Sequence, residues 1–206
     1  MTQFFRIHPS HPEPRLVSQA VAIVRRGGLI AYPTDSSYAL GCELGNGPAI
    51  ERIRRIRRIS QKHDFTLLCS GLNEMSGYAT LSNANAQLIR EHTPGPYTFV
   101  LPATREVPKR LQHPKKATVG LRIPEHPTLA EMLGALGEAL ISSTLTLPED
   151  DFPLSDPQDI FERLSDRIEL VIDGGPCGYQ PTSVVDLTQA KPVVLRHGRG
   201  DVSAFL

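Results

Sequence analysis

Glu51–Leu68 reads ERIRRIRRISQKHDFTLL, an arginine-dense helical run that breaks into a short apolar segment. A helical period handing over to a short buried strand marks a chain that alternates helices and strands. At 100° per residue, Ile50, Ile53 and Ile56 form a narrow stripe able to bury, and Arg54, Arg55 and Arg58 are read on the solvent side. Arg57 breaks this pattern, because a continuing helix would turn its guanidinium into the isoleucine sector. The helix is therefore expected to end near Arg55. In extended chain beyond that point Arg55 and Arg57 share one side, and two planar forks converging there suit a polyphosphate. A solvated basic face is the ordinary reading of a lone arginine-rich helix; the flanking segments decide between the two.

Upstream, Leu16, Ala20, Ile23 and Val24 give a helical face closed by Gly27-Gly28. Leu29 to Tyr32 reads as a buried strand. It enters a hydroxyl-rich loop, Pro33 to Tyr38, and Ala39 to Cys42 follows as extended chain. Downstream, Phe65 to Cys69 is the strand after the arginine run. Asn83 to His92 is a helix with Ser82 as N-cap, and Tyr97 to Leu101 and Thr118 to Ile123 are strands. Pro127 opens another helix, Ala139 to Ser143 is a strand, and Asp156-Pro157 opens a helix to about Leu164. Ile168 to Ile172, Thr182 to Asp186 and Val193 to Arg196 complete the strands. No repeat, low-complexity tract or linker divides the chain, so one domain over residues 1–206 is expected.

With 206 residues, 40% of them hydrophobic, the chain can bury a sizeable core. Its formal net charge is zero, which gives no global argument for nucleic-acid or membrane partners. Locally, bases gather at Arg52 to Lys62 and Lys109 to Lys116, and acids at Glu149 to Asp151. Cys42, Cys69 and Cys177 show neither a disulfide framework nor a metal spacing. The N-terminus lacks a signal peptide's apolar core and no run is long enough to span a bilayer. Cytoplasm is the expected location. His8 and His11 each precede proline and read as loop residues.

No GxxxxGK[ST], GxGxxG or GxSxG motif is present. What remains is a set of hydroxyl-rich or arginine-bearing strand ends: Thr34 to Ser37, Ser142 to Thr146, Thr182-Ser183, and the strands holding Arg122 and Arg196. Ligands of open α/β sheets gather beyond strand ends, and hydroxyl donors with arginines suit a phosphorylated or carboxylated small molecule. Arg122 and Arg196 read as buried, a costly placement without an anionic partner.

Taken in order, YPTDSSYALGC, the arginine-rich helix, PGPYTFVL, VGLRIP, the strand end Ile141-Ser142-Ser143-Thr144, PTSVVDL and VVLRHG resemble the YrdC-like family, its YciO branch in particular, over nearly the whole chain. The resemblance implies an α/β fold: a twisted open sheet, mixed but largely parallel, with helices on both faces and a basic concave surface. It implies a threonylcarbamoyl-AMP synthase-like activity, in which L-threonine, bicarbonate and ATP, the last with Mg²⁺, give L-threonylcarbamoyladenylate and pyrophosphate. In that reading Thr34 and Ser36 lie at the threonine end. Arg55, Arg57, Arg122, Thr144, Thr146, Thr182, Ser183 and Arg196 lie at the nucleotide and phosphates. Two positions depart from the family pattern: Arg55 stands for its lysine, and Thr144-Leu145-Thr146 for its Ser-x-Asn. The alternative is a protein that uses the same basic concavity to bind double-stranded RNA, transfer or ribosomal, without the synthase chemistry.

Overall fold

A computed structural model describes residues 1–61 and 63–206; Lys62, the last base of the arginine-rich run, lies outside the described residues. The strands are β1 (Gln3–Arg6), β2 (Ile30–Tyr32), β3 (Ala39–Glu43), β4 (Thr66–Leu68), β5 (Tyr97–Pro102), β6 (Thr118–Arg122), β7 (Leu140–Thr144), β8 (Leu170–Asp173), β9 (Ser183–Asp186) and β10 (Val193–Arg196). They form one open sheet in the order β1-β8-β2-β3-β7-β4-β6-β5-β9-β10. The helices are α1 (Pro14–Arg25), α2 (Gly47–Arg57), α3 (Leu72–Tyr78), α4 (Asn83–His92), α5 (Pro127–Leu136) and α6 (Pro157–Leu164). β1 and α3 are not evident from the sequence pattern.

The pairs β1–β8, β2–β8, β4–β6 and β5–β9 are parallel, and the other five neighbour pairs are antiparallel. The sheet is thus open and mixed, as the resemblance implies, with four of its nine neighbour pairs parallel. Three connections contribute antiparallel pairs: β2 returns as β3, β5 as β6 and β9 as β10, through loops with no crossover α-helix, and such returns pair antiparallel.

Side chains alternate across each strand, so the sheet builds two cores. On one face Ile30, Tyr32, Leu68, Leu140, Leu170 and Ile172 pack against Val17, Val21 and Val24 of α1 and Leu129, Met132 and Leu133 of α5. On the other, Leu29, Ala31, Leu67, Phe99, Leu121, Ile141 and Val185 pack with Ile50, Ile53 and Ile56 of α2 and with Met75, Ile89, Ile160 and Leu164 of the remaining helices. The first core takes no residue from β5, β6, β9 or β10. Among the described residues the helices α1 and α5 of that core therefore cover only the other half of this face.

The arginine helix starts on the Asn46 cap, whose side chain accepts from the Ala49 N–H at 3.1 Å. It runs through Arg57 and stops at Arg58, which is left-handed at φ 50°. The expected end near Arg55 is therefore two residues short, and Arg55 and Arg57 do not share a side. Arg55 is exposed and its Nε turns back to the Glu51 carbonyl at 3.4 Å. Arg57 points inward. It can do so because it sits on the last turn, where the core ends and a cavity begins. Arg54 also departs from the solvent-side reading: it is buried, with its guanidinium 4.9 Å over the Phe65 ring, and it donates to the Ser60 carbonyl. At 100° per residue it stands only about 40° round the helix from Ile50, on the buried flank. Cations here also face the negative end of the helix dipole.

Candidate active site

The uncovered half of the sheet is the floor of a cavity of about 640 Å³, within the usual size for a small-molecule site. Strand register fixes which side chains face it. Leu68 lies opposite Leu140 and Arg122, and Thr66 opposite Ser142 and Gly120. Val100 lies opposite Gly120, Thr98 opposite Val184, and Arg196 opposite Val184. The floor therefore intersperses small, hydroxylated and cationic residues with Leu68, Val100 and Val184, in place of the continuous apolar stripe that would have called a helix onto the sheet. At Gly120 a Cβ would stand 3.3 Å from Thr98 Cγ2 and 3.5 Å from Thr66 Oγ1, so even an alanine would crowd this row.

Three guanidinium groups enter the cavity from three elements. Arg57 comes from the end of α2. Its Nε donates to the Thr146 carbonyl at 3.4 Å, and its Nη1 donates to the Ser143 hydroxyl and lies 3.3 Å from His63 Nε2. Arg122, on β6, is paired with Asp35 of the hydroxyl-rich loop, both side chains being largely withdrawn from solvent; its Nε has no hydrogen-bond partner among the described residues. Arg196, on β10, donates from Nε to the Thr182 carbonyl at 2.9 Å and from Nη2 to the Thr182 hydroxyl at 3.0 Å. Thr182 Oγ1 in turn lies 3.0 Å from Thr98 Oγ1. Burial is the first cause that holds all three arginines below their ordinary value, with the Arg122 charge adding to it at Arg196 and Asp35 opposing it at Arg122. At Arg57 and Arg122 the site thus carries positive charge partly withdrawn from water, where an anion is favoured.

The sequence expectations divide. Thr34, Ser36, Arg57, Arg122, Thr144, Thr146, Thr182 and Arg196 line this cavity. Arg55 does not, because it faces solvent. Nor does Ser183: it is fully buried, donating to the Gly200 carbonyl at 2.6 Å and accepting from the Gly198 N–H at 3.0 Å. Its work is to tie the C-terminal turn to β9. Arg196 is exposed rather than buried, since β10 is an edge strand, and the anion expected beside Arg122 is supplied by Asp35. Thr34 Oγ1 is already engaged by the Ser36 and Ser37 N–H groups at 3.0 and 3.2 Å and by the Ser37 carbonyl at 2.7 Å, so it shapes the loop as well as lining the cavity.

Asp35, Thr98 and Thr66 are lining or supporting residues that sequence reasoning does not single out. The alternation Tyr97, Phe99, Leu101 against Thr98 and Val100 was a usable signal for Thr98. The Asp35–Arg122 pair joins residues 87 apart in the chain, and nothing local announces it.

His63 gives the site a pH signature. Burial, then the charges of Arg57 and Arg54, depress its pKa from 6.5 to about 4. Between these values the unfolded chain binds the proton and the folded protein does not, so stability falls as pH drops through that window. Wild type is expected to lose about 1–2 kcal/mol more than His63→Asn between pH 6.5 and 4, the full shift being discounted for partial exposure. Thermal melts across that range check it; parallel pH profiles would contradict it.

A family model described as telomere recombination, that of Sua5, YciO and YrdC, matches residues 22–198. The chain belongs to the Sua5/YciO/YrdC family. It is 50% identical over 206 residues to the YciO protein of Escherichia coli (strain K12), covering all of both chains, and the crystal structure of E. coli YciO superposes with a TM-score of 0.95. It is 29% identical over 180 residues to the threonylcarbamoyl-AMP synthase of Halorhodospira halophila, covering 86% of this chain and 93% of the other. The crystal structure of P. abyssi Sua5 complexed with L-threonine matches at a TM-score of 0.86 and 26% identity, over 96% of this chain and 58% of the Sua5 chain. The YciO assignment drawn from the motifs accords with these matches. In this member of the family, the cation pair expected at Arg55 and Arg57 is a single cavity arginine, Arg57, with neutral His63 beside it. Among the described residues no helix is long and apolar enough to cross a membrane.

Proposed function

We propose that the cavity binds ATP and L-threonine and forms L-threonylcarbamoyladenylate. The observation that carries this reading is the convergence of Arg57, Arg122 and Arg196 on one hydroxyl-lined cavity. The threonylcarbamoyl-AMP synthase relatives and the threonine-complexed Sua5 support it. Threonine and bicarbonate condense, with loss of water, to an N-carboxy-amino acid. Its new carboxylate oxygen bonds to the α-phosphorus while the bond from that phosphorus to the bridging oxygen of the β-phosphate breaks, and pyrophosphate leaves with that oxygen. Catalysis of this kind is positioning and charge stabilisation. Arg57 and Arg196 would hold phosphate oxygens, and Thr34 and Ser36 would border the threonine end. Arg122, tied to Asp35, would present its remaining N–H to the ligand. Mg²⁺ fits as an ion arriving on the phosphates: among the described residues no cluster of three His, Cys, Asp or Glu could hold a metal, and Mg²⁺ on nucleotides needs only one or two carboxylates, which Asp64 of the lining offers.

Purified protein given ATP, threonine and bicarbonate is expected to release pyrophosphate only when all three are present. A second reading, double-stranded RNA binding, is favoured by the exposed bases Lys109, Lys115 and Lys116 on a loop whose Leu111 and Thr118 reach the cavity. RNA affinity falling steeply with salt, with no pyrophosphate formed, would replace the enzyme reading with that one.

A further inference from the structure

Among the described residues the chain has seven phenylalanines and five tyrosines, and only two of these twelve rings are largely exposed: Phe152 at 66% and Tyr179 at 58%. They are neighbours. Their centroids lie 6.3 Å apart with the planes at 70°, and both line the cavity already described. They come from two loops, one after β7 and one after β8, that are stitched together by the Cys177 N–H to Ser155 carbonyl bond at 3.1 Å and by Ser155 Oγ to Tyr179 Oη at 3.0 Å. The first loop is pinned from behind. Arg163 of α6 donates to Glu149 at 2.9 Å and to Asp150 at 3.2 Å, which draws those two acids toward α6, while Asp151 lines the cavity.

We infer that Phe152 and Tyr179 form a stacking wall for the base of the bound nucleotide. This rests on the cavity being a nucleotide site and adds an orientation to it. The three arginines and the aromatic pair line the same cavity, and Phe152 follows directly on Asp151, a lining carboxylate. Phosphates are repelled by Asp151 and drawn to the arginines, so the uncharged end of the nucleotide faces the rings. An edge-to-face pair leaves ring faces open, and a planar base laid there removes from water two apolar side chains that the fold alone leaves wet. Stacking of this kind tolerates base identity because every base has a π-face. ATP and GTP should therefore bind within about threefold of each other, and pyrimidine nucleotides, with smaller rings, more weakly.

Titration calorimetry with ATP, GTP and inorganic tripolyphosphate tests it on wild type, Phe152→Ala, Tyr179→Ala and the double variant. Both residues are exposed, so the variants should fold as wild type does. The expected result is a loss of ATP and GTP affinity of about fivefold to a hundredfold per ring, with tripolyphosphate binding unchanged. ATP affinity unaltered in the double variant, while wild type still binds ATP, would overturn the stacking wall alone. Absence of both ATP and tripolyphosphate binding in wild type would overturn it together with the nucleotide site.

Discussion

Asp35→Ala is expected to destabilise the protein by about 3–5 kcal/mol, because it leaves the Arg122 charge buried with its partner removed. At this chain length that corresponds to a fall in Tm of roughly 6–20 °C. Arg122 cannot escape by deprotonating, since an arginine stays charged inside proteins, and the two side chains are only 7% and 9% exposed. Asp35 also accepts from the Glu125 N–H at 3.2 Å, so its loss frees the β6–α5 connection as well. The double variant Asp35→Ala/Arg122→Met should recover most of the stability, as replacing a buried pair with apolar groups often does. Chemical denaturation measures both. A single variant within about 1 kcal/mol of wild type would show that Arg122 is solvated in a way its burial does not suggest.

Arg57→Ala is expected to weaken ATP binding by about tenfold to a hundredfold or more, the worth of one or two hydrogen bonds to a charged group. It should cost little stability. The side chain is half-buried on the last turn of α2, and its own contacts are with the Thr146 carbonyl, the Ser143 hydroxyl and His63. Arg55→Ala is the decisive companion. Two residues earlier on the same helix, Arg55 faces solvent and should leave ATP affinity unchanged. Equal losses at the two positions would mean that a general basic surface, rather than the cavity, holds the nucleotide.

The contrast between those two arginines also shows what can be read from a chain alone. The α/β class, most elements and the family followed from local pattern: isoleucine spacing in α2, glycine after α1, proline opening α5, and a set of motifs in fixed order. Helix ends were less legible. Arg57 falls in the isoleucine sector, and helical periodicity treats such a residue as a reason to stop, yet the helix continues because the core gives way to a cavity at that turn. The cavity floor was readable only in part. Thr66, Thr98, Thr118 and Gly120 are polar or small where a covered strand face would be apolar, but the row emerges only when the register places β4, β6 and β5 side by side. Asp35 and the Phe152–Tyr179 wall depend on pairings between distant loops, and no local signal encodes those.

The most direct test of the account is a structure of the protein crystallised with threonine and a non-hydrolysable ATP analogue. The account predicts the triphosphate within hydrogen-bonding reach of Arg57 and Arg196 on the open half of the sheet, and threonine beside Thr34 and Ser36. A nucleotide bound elsewhere on the molecule, with this cavity holding neither ligand, would contradict it.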